Sequence, residues 1–188
     1  MKTNYVFMAD GFEEVEAMTS IDVMRRAGMN VVTVSINGGY EVTGAHGVPM
    51  LADELFEELD FSDAEWLVLP GGMPGATNLA EHEVLCDLLK SHNSDGGKIG
   101  AICASPSVVL APLGLLQGRQ AVCYPGMEAQ IEGINWGNGA VAVDGNVVTG
   151  NGPAAAAAFA LTMVAISQGH AAASTVASGM LLPPLAML

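Results

Sequence analysis

The stretch Lys98-Ile99-Gly100-Ala101-Ile102-Cys103-Ala104-Ser105-Pro106-Ser107-Val108-Val109-Leu110 decides the reading of this chain. It begins as a short apolar strand and ends as an apolar helix, with almost no room for a loop between them. The residue at the join is a cysteine among small neighbours. Such a join has the logic of a nucleophile elbow: the strand delivers the chain to a tight, strained turn that only small flanking residues tolerate. A helix starting there aims its N-terminal amides at the sulfur and favours the thiolate, the reactive form. The other reading makes Cys103 one more buried small apolar residue, as most free cysteines are. Ala101 and Ser105 stand where the usual motif has glycines, which leaves both readings open.

Working outward, 188 residues suit a single domain, residues 1–188, able to bury a core without staples. Twenty acidic against six basic residues give a formal net charge of −14, too few cations for a patch that binds nucleic acid or an anionic membrane. The three cysteines, Cys86, Cys103 and Cys123, form no C-x-x-C pair. An odd count without pairing argues against a disulfide framework or zinc cluster and suits a reducing cytoplasm. No apolar run reaches the length of a membrane span, and Tyr5 to Ala9 is too short for a signal peptide. The apolar, proline-broken residues 183–188 read as a docked tail or part of an interface.

Along the chain, Tyr5 to Ala9 reads as a buried strand. Glu13 to Ala27 has apolar residues at helical spacing, Val15, Met18, Ile21, Val23, Met24 and Ala27, with Gly28 closing the helix. Asn30 to Ser35 is a β-branched strand, and Asn37 to Thr43 opens a hairpin excursion. Ala52 to Leu59 is a short acidic helix or irregular. Trp66 to Leu69 is a strand running into Pro70-Gly71-Gly72, and Glu81 to His92 is a helix. Gln120 to Tyr124 reads as a strand, Val141 to Thr149 as a hairpin across Asp144-Gly145, and Ala154 to Ser167 as the closing helix. Apolar strands alternating with helices give an α/β fold: a parallel sheet with helices on both faces and a small β-hairpin excursion.

In such a sheet the site lies beyond the carboxyl ends of the strands, at the topological switch point. Three unusual features fall there: Asp10-Gly11-Phe12-Glu13-Glu14-Val15-Glu16, Pro70-Gly71-Gly72, and Cys103. Gly71 and Gly72 can turn sharply and present N–H groups to a developing oxyanion or to sulfur-bound oxygens. An ordinary strand-to-loop turn would look the same. Glu13 and Glu14 read as solvated first-turn acids, whereas Glu16, between Val15 and Ala17, sits in apolar company that raises a carboxyl pKa and lets it donate to a thiolate. As an ordinary helix acid it would do nothing. His82, His92 and His170 read as surface residues, and His46, in Gly44-Ala45-His46-Gly47, is the one histidine kept as a candidate. Spacing suggests no metal site, dinucleotide fingerprint or P-loop.

Several motifs, taken in order, resemble the ThiJ/PfpI superfamily, most closely its Parkinson's-disease-associated deglycase branch. They are Gly11 to Ala17, Asp22 to Gly28, Leu69 to Gly72 with Gly75-Ala76 and Asn78-Leu79, Ala101 to Pro106, and Gly152-Pro153 before the last helix. The resemblance implies a flavodoxin-like, class I glutamine amidotransferase-like domain that forms a homodimer. It implies a reactive, oxidation-sensitive Cys103, with Glu16 as its protonated partner and the amides of Gly71, Gly72 and Ala104 around it. It also implies cofactor-free glyoxalase or deglycase activity on methylglyoxal or glycated adducts, or redox sensing and chaperoning through a cysteine sulfinate. The chain departs from the pattern at three places: Tyr124 replaces a histidine near the cysteine, His46 an arginine that reaches across the dimer, and Asn151 the arginine before Gly-Pro. Tyr124 and His46 are therefore auxiliary candidates, and the departures count against anionic substrates. Ala104 follows the cysteine directly, where peptidase-like and chaperone-glyoxalase branches carry a histidine.

Overall fold

The computed structural model describes residues 2–128 and 131–182. The chain runs β1 (Thr3–Met8), α1 (Glu14–Arg26), β2 (Asn30–Ser35), β3 (Glu41–Thr43), β4 (Pro49–Leu51), β5 (Glu54–Leu55) and β6 (Ala64–Leu69). It continues through α2 (Gly75–Glu81), α3 (Glu83–Ser94), β7 (Lys98–Ile102), β8 (Gln120–Ala121), β9 (Asn135–Trp136), β10 (Val141–Asp144), β11 (Val147–Gly150), α4 (Ala156–Gln168) and α5 (His170–Gly179). Seven strands form one sheet in the order β10-β11-β7-β6-β1-β2-β5, and only the edge strand β10 is antiparallel. The chain leaves β1 for β2 on one side and returns to β6 on the other. The switch point therefore lies between β1 and β6, as in flavodoxin-like sheets.

Period-two alternation along the strands builds two cores. On one face Val6, Met8, Trp66, Val68 and Ile102 pack beneath α1, α4 and α5. On the other Tyr5, Phe7, Leu67, Leu69 and Ile99 pack against Leu79, Leu85 and Leu89 of α2 and α3. The strands are buried on both sides, which is why they read as continuous apolar runs.

Several boundaries move. The run from Gln120 to Tyr124 yields only the two-residue β8, paired with β9 outside the main sheet. The 52–59 segment is β5 followed by a 3-10 turn at Phe56–Glu58. The 154–167 helix becomes a 3-10 turn plus α4, and α5 follows after Gly169. The helix expected after Cys103 is a single five-residue π-turn, Pro106–Leu110. On α1, Val15 and Met18 are 53% and 41% exposed, because the core stripe runs through Glu16, Ala17, Ser20, Ile21, Val23 and Met24. The apolar tail at 183–188 lies outside the described residues. Among the described residues no helix is long and apolar enough to cross a membrane.

Candidate active site

Cys103 sits immediately beyond β7 with φ of 62°, a left-handed backbone conformation that is uncommon for any residue but glycine. Two backbone bonds hold it there. Its N–H donates to Gly150 O at 2.9 Å, and its carbonyl accepts the Tyr124 N–H at 2.8 Å. Ser105 Oγ donates to Pro70 O at 2.5 Å and ties the turn to the end of β6. The strain expected of an elbow is thus present and is held from three sides.

Glu16 comes from the first turns of α1 and is fully buried. Glu13 caps that helix, its Oε2 accepting the Glu16 N–H at 2.7 Å, while the Glu13 N–H donates to Gly71 O at 2.9 Å. Glu13 is therefore a buried structural acid, not the solvated residue anticipated. Helices that start with such a cap are fixed at their first turn, so the cap sets where Glu16 points. Glu16 Oε2 accepts the Gly71 N–H at 2.8 Å. Its Oε1 is buried without a conventional hydrogen bond, and its interaction with the Cys103 thiol shifts both groups.

Gly71 is the packing key. A Cβ there would lie 2.5 Å from Cys103 Cβ and 2.8 Å from Glu16 Oε2. Gly72, at φ of 89°, would set a Cβ 2.4 Å from Glu13 N and from Gly11 O. The expected ring of amides divides in two. The N–H groups of Gly72 and Ala104 act on the Cys103 thiol and pull it down, whereas that of Gly71 is committed to Glu16.

Electrostatics revise one expectation. Burial first, and then the Glu16 carboxylate, push the Cys103 thiol up to about 12, against the pull of the Gly72 and Ala104 amides. Burial likewise pushes Glu16 up to about 7, against bonds from Gly71 and Cys103, with the Glu13 charge adding to the rise. The thiol is thus not held down by a helix terminus: a five-residue π-turn has little dipole, and the sulfur is desolvated. Two ionisable groups in contact titrate as a pair, and between about 7 and about 12 this pair holds one proton. A thiolate exists there when Glu16 carries that proton.

The auxiliary candidates His46 and Tyr124 have surroundings of their own. His46 is exposed and gripped by Glu14, with Nδ1 2.7 Å from Oε2 and the His46 N–H donating to Oε1 at 2.7 Å. That pairing raises His46 and adds to the forces lowering Glu14. Tyr124 is half exposed, and its ring lies beside Gly152. His82 and His92 are half-buried rather than superficial. His82 Nδ1 caps α3 at Leu85 N–H, and His92 Nε2 lies 3.2 Å from Lys98 O. Glu13, Glu14 and His46 bring ligand atoms within 4.8 Å of one another, the one grouping among the described residues that could approach a cation. Two of its carboxyls are already bonded, to Glu16 and to His46.

A buried Cys–Glu pair at the end of such a sheet can be compared with known proteins. Residues 2–166 match the sequence profile of the DJ-1/PfpI family. The chain belongs to the DJ-1/PfpI family. It is 40% identical over 157 residues to protein DJ-1 homolog B of Arabidopsis thaliana, covering 84% of this chain and 36% of that protein. The chain thus spans about a third of that relative's length. It is 33% identical over 151 residues to a deglycase of Pyrococcus abyssi, covering 79% of this chain and 89% of the relative. The oxidized DJ-1 structure of Toxoplasma gondii superposes with a TM-score of 0.93 at 37% identity, over 97% of this chain and 99% of that one. The α/β fold of this DJ-1/PfpI member is therefore the one its motifs predict.

Proposed function

We propose that the protein is a cofactor-independent glyoxalase or deglycase that acts through Cys103 on methylglyoxal-type 2-oxoaldehydes or on their early glycation adducts. The observation that carries this reading is a cysteine held in a left-handed turn beside a fully buried glutamate, the two meeting over Gly71. The Pyrococcus relative is named a deglycase, which supports it. The proton passes from the Cys103 thiol to Glu16 as sulfur bonds to the aldehyde carbon. Glu16 returns it to the aldehyde oxygen, leaving a hemithioacetal. The Glu16 carboxylate then removes the hydrogen from that carbon and delivers a proton to the neighbouring ketone carbon through an enediol. The old aldehyde carbon is now a thioester, oxidised as its neighbour is reduced, so no external electron acceptor is consumed. Water cleaves the thioester, releasing the 2-hydroxy acid and the thiol. On an early adduct the same attack displaces the amine. The Gly72 and Ala104 amides, which pull the Cys103 thiol down, steady negative charge on the sulfur in this reading.

Incubating the purified protein with methylglyoxal should give lactate, with Cys103→Ala slower by about 100-fold or more. Equal lactate formation by the two proteins contradicts the proposal.

Those same two amides favour a second reading, in which Cys103 is an oxidation sensor and the protein guards others without catalysis. Two equivalents of peroxide convert the thiol to a sulfinate and two waters, and the amides with protonated Glu16 hold the new oxygens. The free state of all three cysteines suits a reducing, cytoplasmic setting for either reading. In both, the working unit is a homodimer. Val15 and Met18 on α1 and Val48 and Leu51 around β4 are exposed apolar residues on elements joined by the Glu14–His46 contact. Light scattering should read twice the chain mass of 19.3 kDa; a monomer at micromolar concentration contradicts that assembly.

A further inference from the structure

One polar stretch of the chain takes no part in the contacts around Cys103: Asn135-Trp136-Gly137-Asn138-Gly139. It carries two carboxamides, a large aromatic ring and two residues without side chains. Its backbone is held against β8. The Asn135 N–H donates to Arg119 O at 2.9 Å, and the Gly137 N–H donates to Ala121 O at 2.8 Å. The chain then turns into β10, an edge strand of the main sheet. The β8–β9 pair and β10 together line a cleft of about 430 Å³, within the range of about 300–1,000 Å³ in which small molecules are held.

Among the described residues no Asp, Glu, Lys or Arg lines this cleft, in a chain whose formal net charge is −14. The charged residues that flank its lining in sequence are engaged elsewhere. Arg119, before Gln120, donates to Asp144 O, Asn146 Oδ1 and Asn93 Oδ1. Asp144, after Val143, accepts the Gln120 N–H at 2.9 Å. What remains is hydrogen-bonding surface without charge. The side chains of Gln120, Asn135 and Asn138 are exposed at the cleft and make no hydrogen bond to the described residues. Each offers a donor and an acceptor side by side. The edge of β10 adds backbone groups. The Asn151 N–H donates to Ala140 O, and the register continues through Ala142 opposite Thr149 and Asp144 opposite Val147, so these residues turn their amides towards β11. Val141 and Val143, which alternate with them, turn theirs away from β11.

We infer that this cleft binds a neutral sugar ring, free or at the end of a glycoside. Neighbouring hydroxyls of a pyranose present a donor and an acceptor that one carboxamide can meet, and the apolar C–H face of the ring can cover an indole. Three carboxamides and the half-buried Trp136 ring supply both kinds of contact. An uncharged lining suits a ligand that is polar without being ionic, since an ionised group would be desolvated with no counter-charge to receive it. An extended peptide is the other ligand that a sheet edge attracts. Only Val141 and Val143 of β10 face outward, however, and the β8–β9 pair stands beside them, so the ladder is too short to hold a strand.

The test titrates the full ¹⁵N-labelled chain with methyl α-D-glucopyranoside, methyl α-D-mannopyranoside and methyl β-D-galactopyranoside. None has a free aldehyde, so Cys103 is not engaged and the results are separate from the methylglyoxal assay. The readout is the indole N–H signals of the two tryptophans. Trp66 is fully buried and bonded to Ser167, which makes it the internal control for folding and for unspecific effects. With at least one glycoside the Trp136 signal should move and saturate with a Kd of about 1–10 mM while that of Trp66 stays fixed. Asn135→Ala with Asn138→Ala should weaken this binding by about tenfold. Methyl β-D-glucuronide, an anionic counterpart, should bind about tenfold more weakly than the best neutral glycoside. Equal affinity for methyl α-D-glucopyranoside and methyl α-maltoside supports a site for a single ring, and tighter maltoside binding supports one for the end of a glycan. No saturable shift of Trp136 with any glycoside up to about 100 mM overturns the inference. Undiminished binding by the double variant, or glucuronide binding as tight as the neutral sugars, overturns it too. Protection of the Val141 and Val143 amides that grows with protein concentration, without sugar, would show the edge pairing with a second chain and would equally overturn it.

Discussion

Gly71 carries the tightest constraint in the candidate site, since one residue touches both Cys103 and Glu16. Its N–H holds Glu16, and the space a side chain would need is filled by Cys103 Cβ. Gly71→Ala should therefore cost about 1–3 kcal/mol of stability by overpacking and slow Cys103 alkylation at neutral pH; unchanged values for both would contradict this close packing. At this scale much of the site was legible. Cys103 announced itself by the strand-to-turn join, and Glu16 by an acid among apolar neighbours. The cap role of Glu13 was hidden because a first-turn acid looks alike whether solvated or bonded to the helix end, and only its contact with Gly71 O distinguishes the two. His82 and His92 misled for a similar reason: polar sequence neighbours conceal a ring that caps a helix or lies near a carbonyl.

Among the elements, the strands were read closely because burial on both faces leaves continuous apolar runs at β1, β2, β6 and β7. Where that signal is absent, tertiary context decides. α2 (GATNLAE) and α5 (HAAASTVASG) are short and rich in small residues, so neither shows a helical stripe, yet both form by packing on elements already in place. β8 is cut to two residues although Gln120 to Tyr124 has β propensity. The Val122 N–H donates to Thr149 Oγ1 and the Tyr124 N–H to Cys103 O, bonds to the site that replace a regular ladder. α1 was placed correctly but turned: it has more apolar residues than one core stripe can absorb. The excess, Val15 and Met18, faces outward beside the hairpin proposed to join two subunits. The π-turn after Cys103 removes the helix dipole that a regular helix would have supplied.

For the molecule as a whole, the topological switch point gathers the candidate site. Three segments distant in sequence, after β1, β6 and β7, converge because parallel strands end together. The sequence pattern predicted that convergence; it could not show how the turn after β7 is held, which depends on the bonds of Cys103 to Gly150 and Tyr124. Cys103 is proposed to be activated by handing its proton to Glu16, and the most direct test is the pH dependence of Cys103 alkylation by iodoacetamide. Glu16, raised from 4.5 to about 7, becomes a base only as pH climbs through that value, so reactivity should rise through about 7 and then level. Glu16→Gln removes the base and leaves a desolvated thiol. Its neutral inflection should vanish, with the rate at pH 7.5 lower by about 10- to 100-fold and rising only in alkali. An unchanged profile in Glu16→Gln, or a wild-type profile that follows an ordinary free thiol, would contradict the claim.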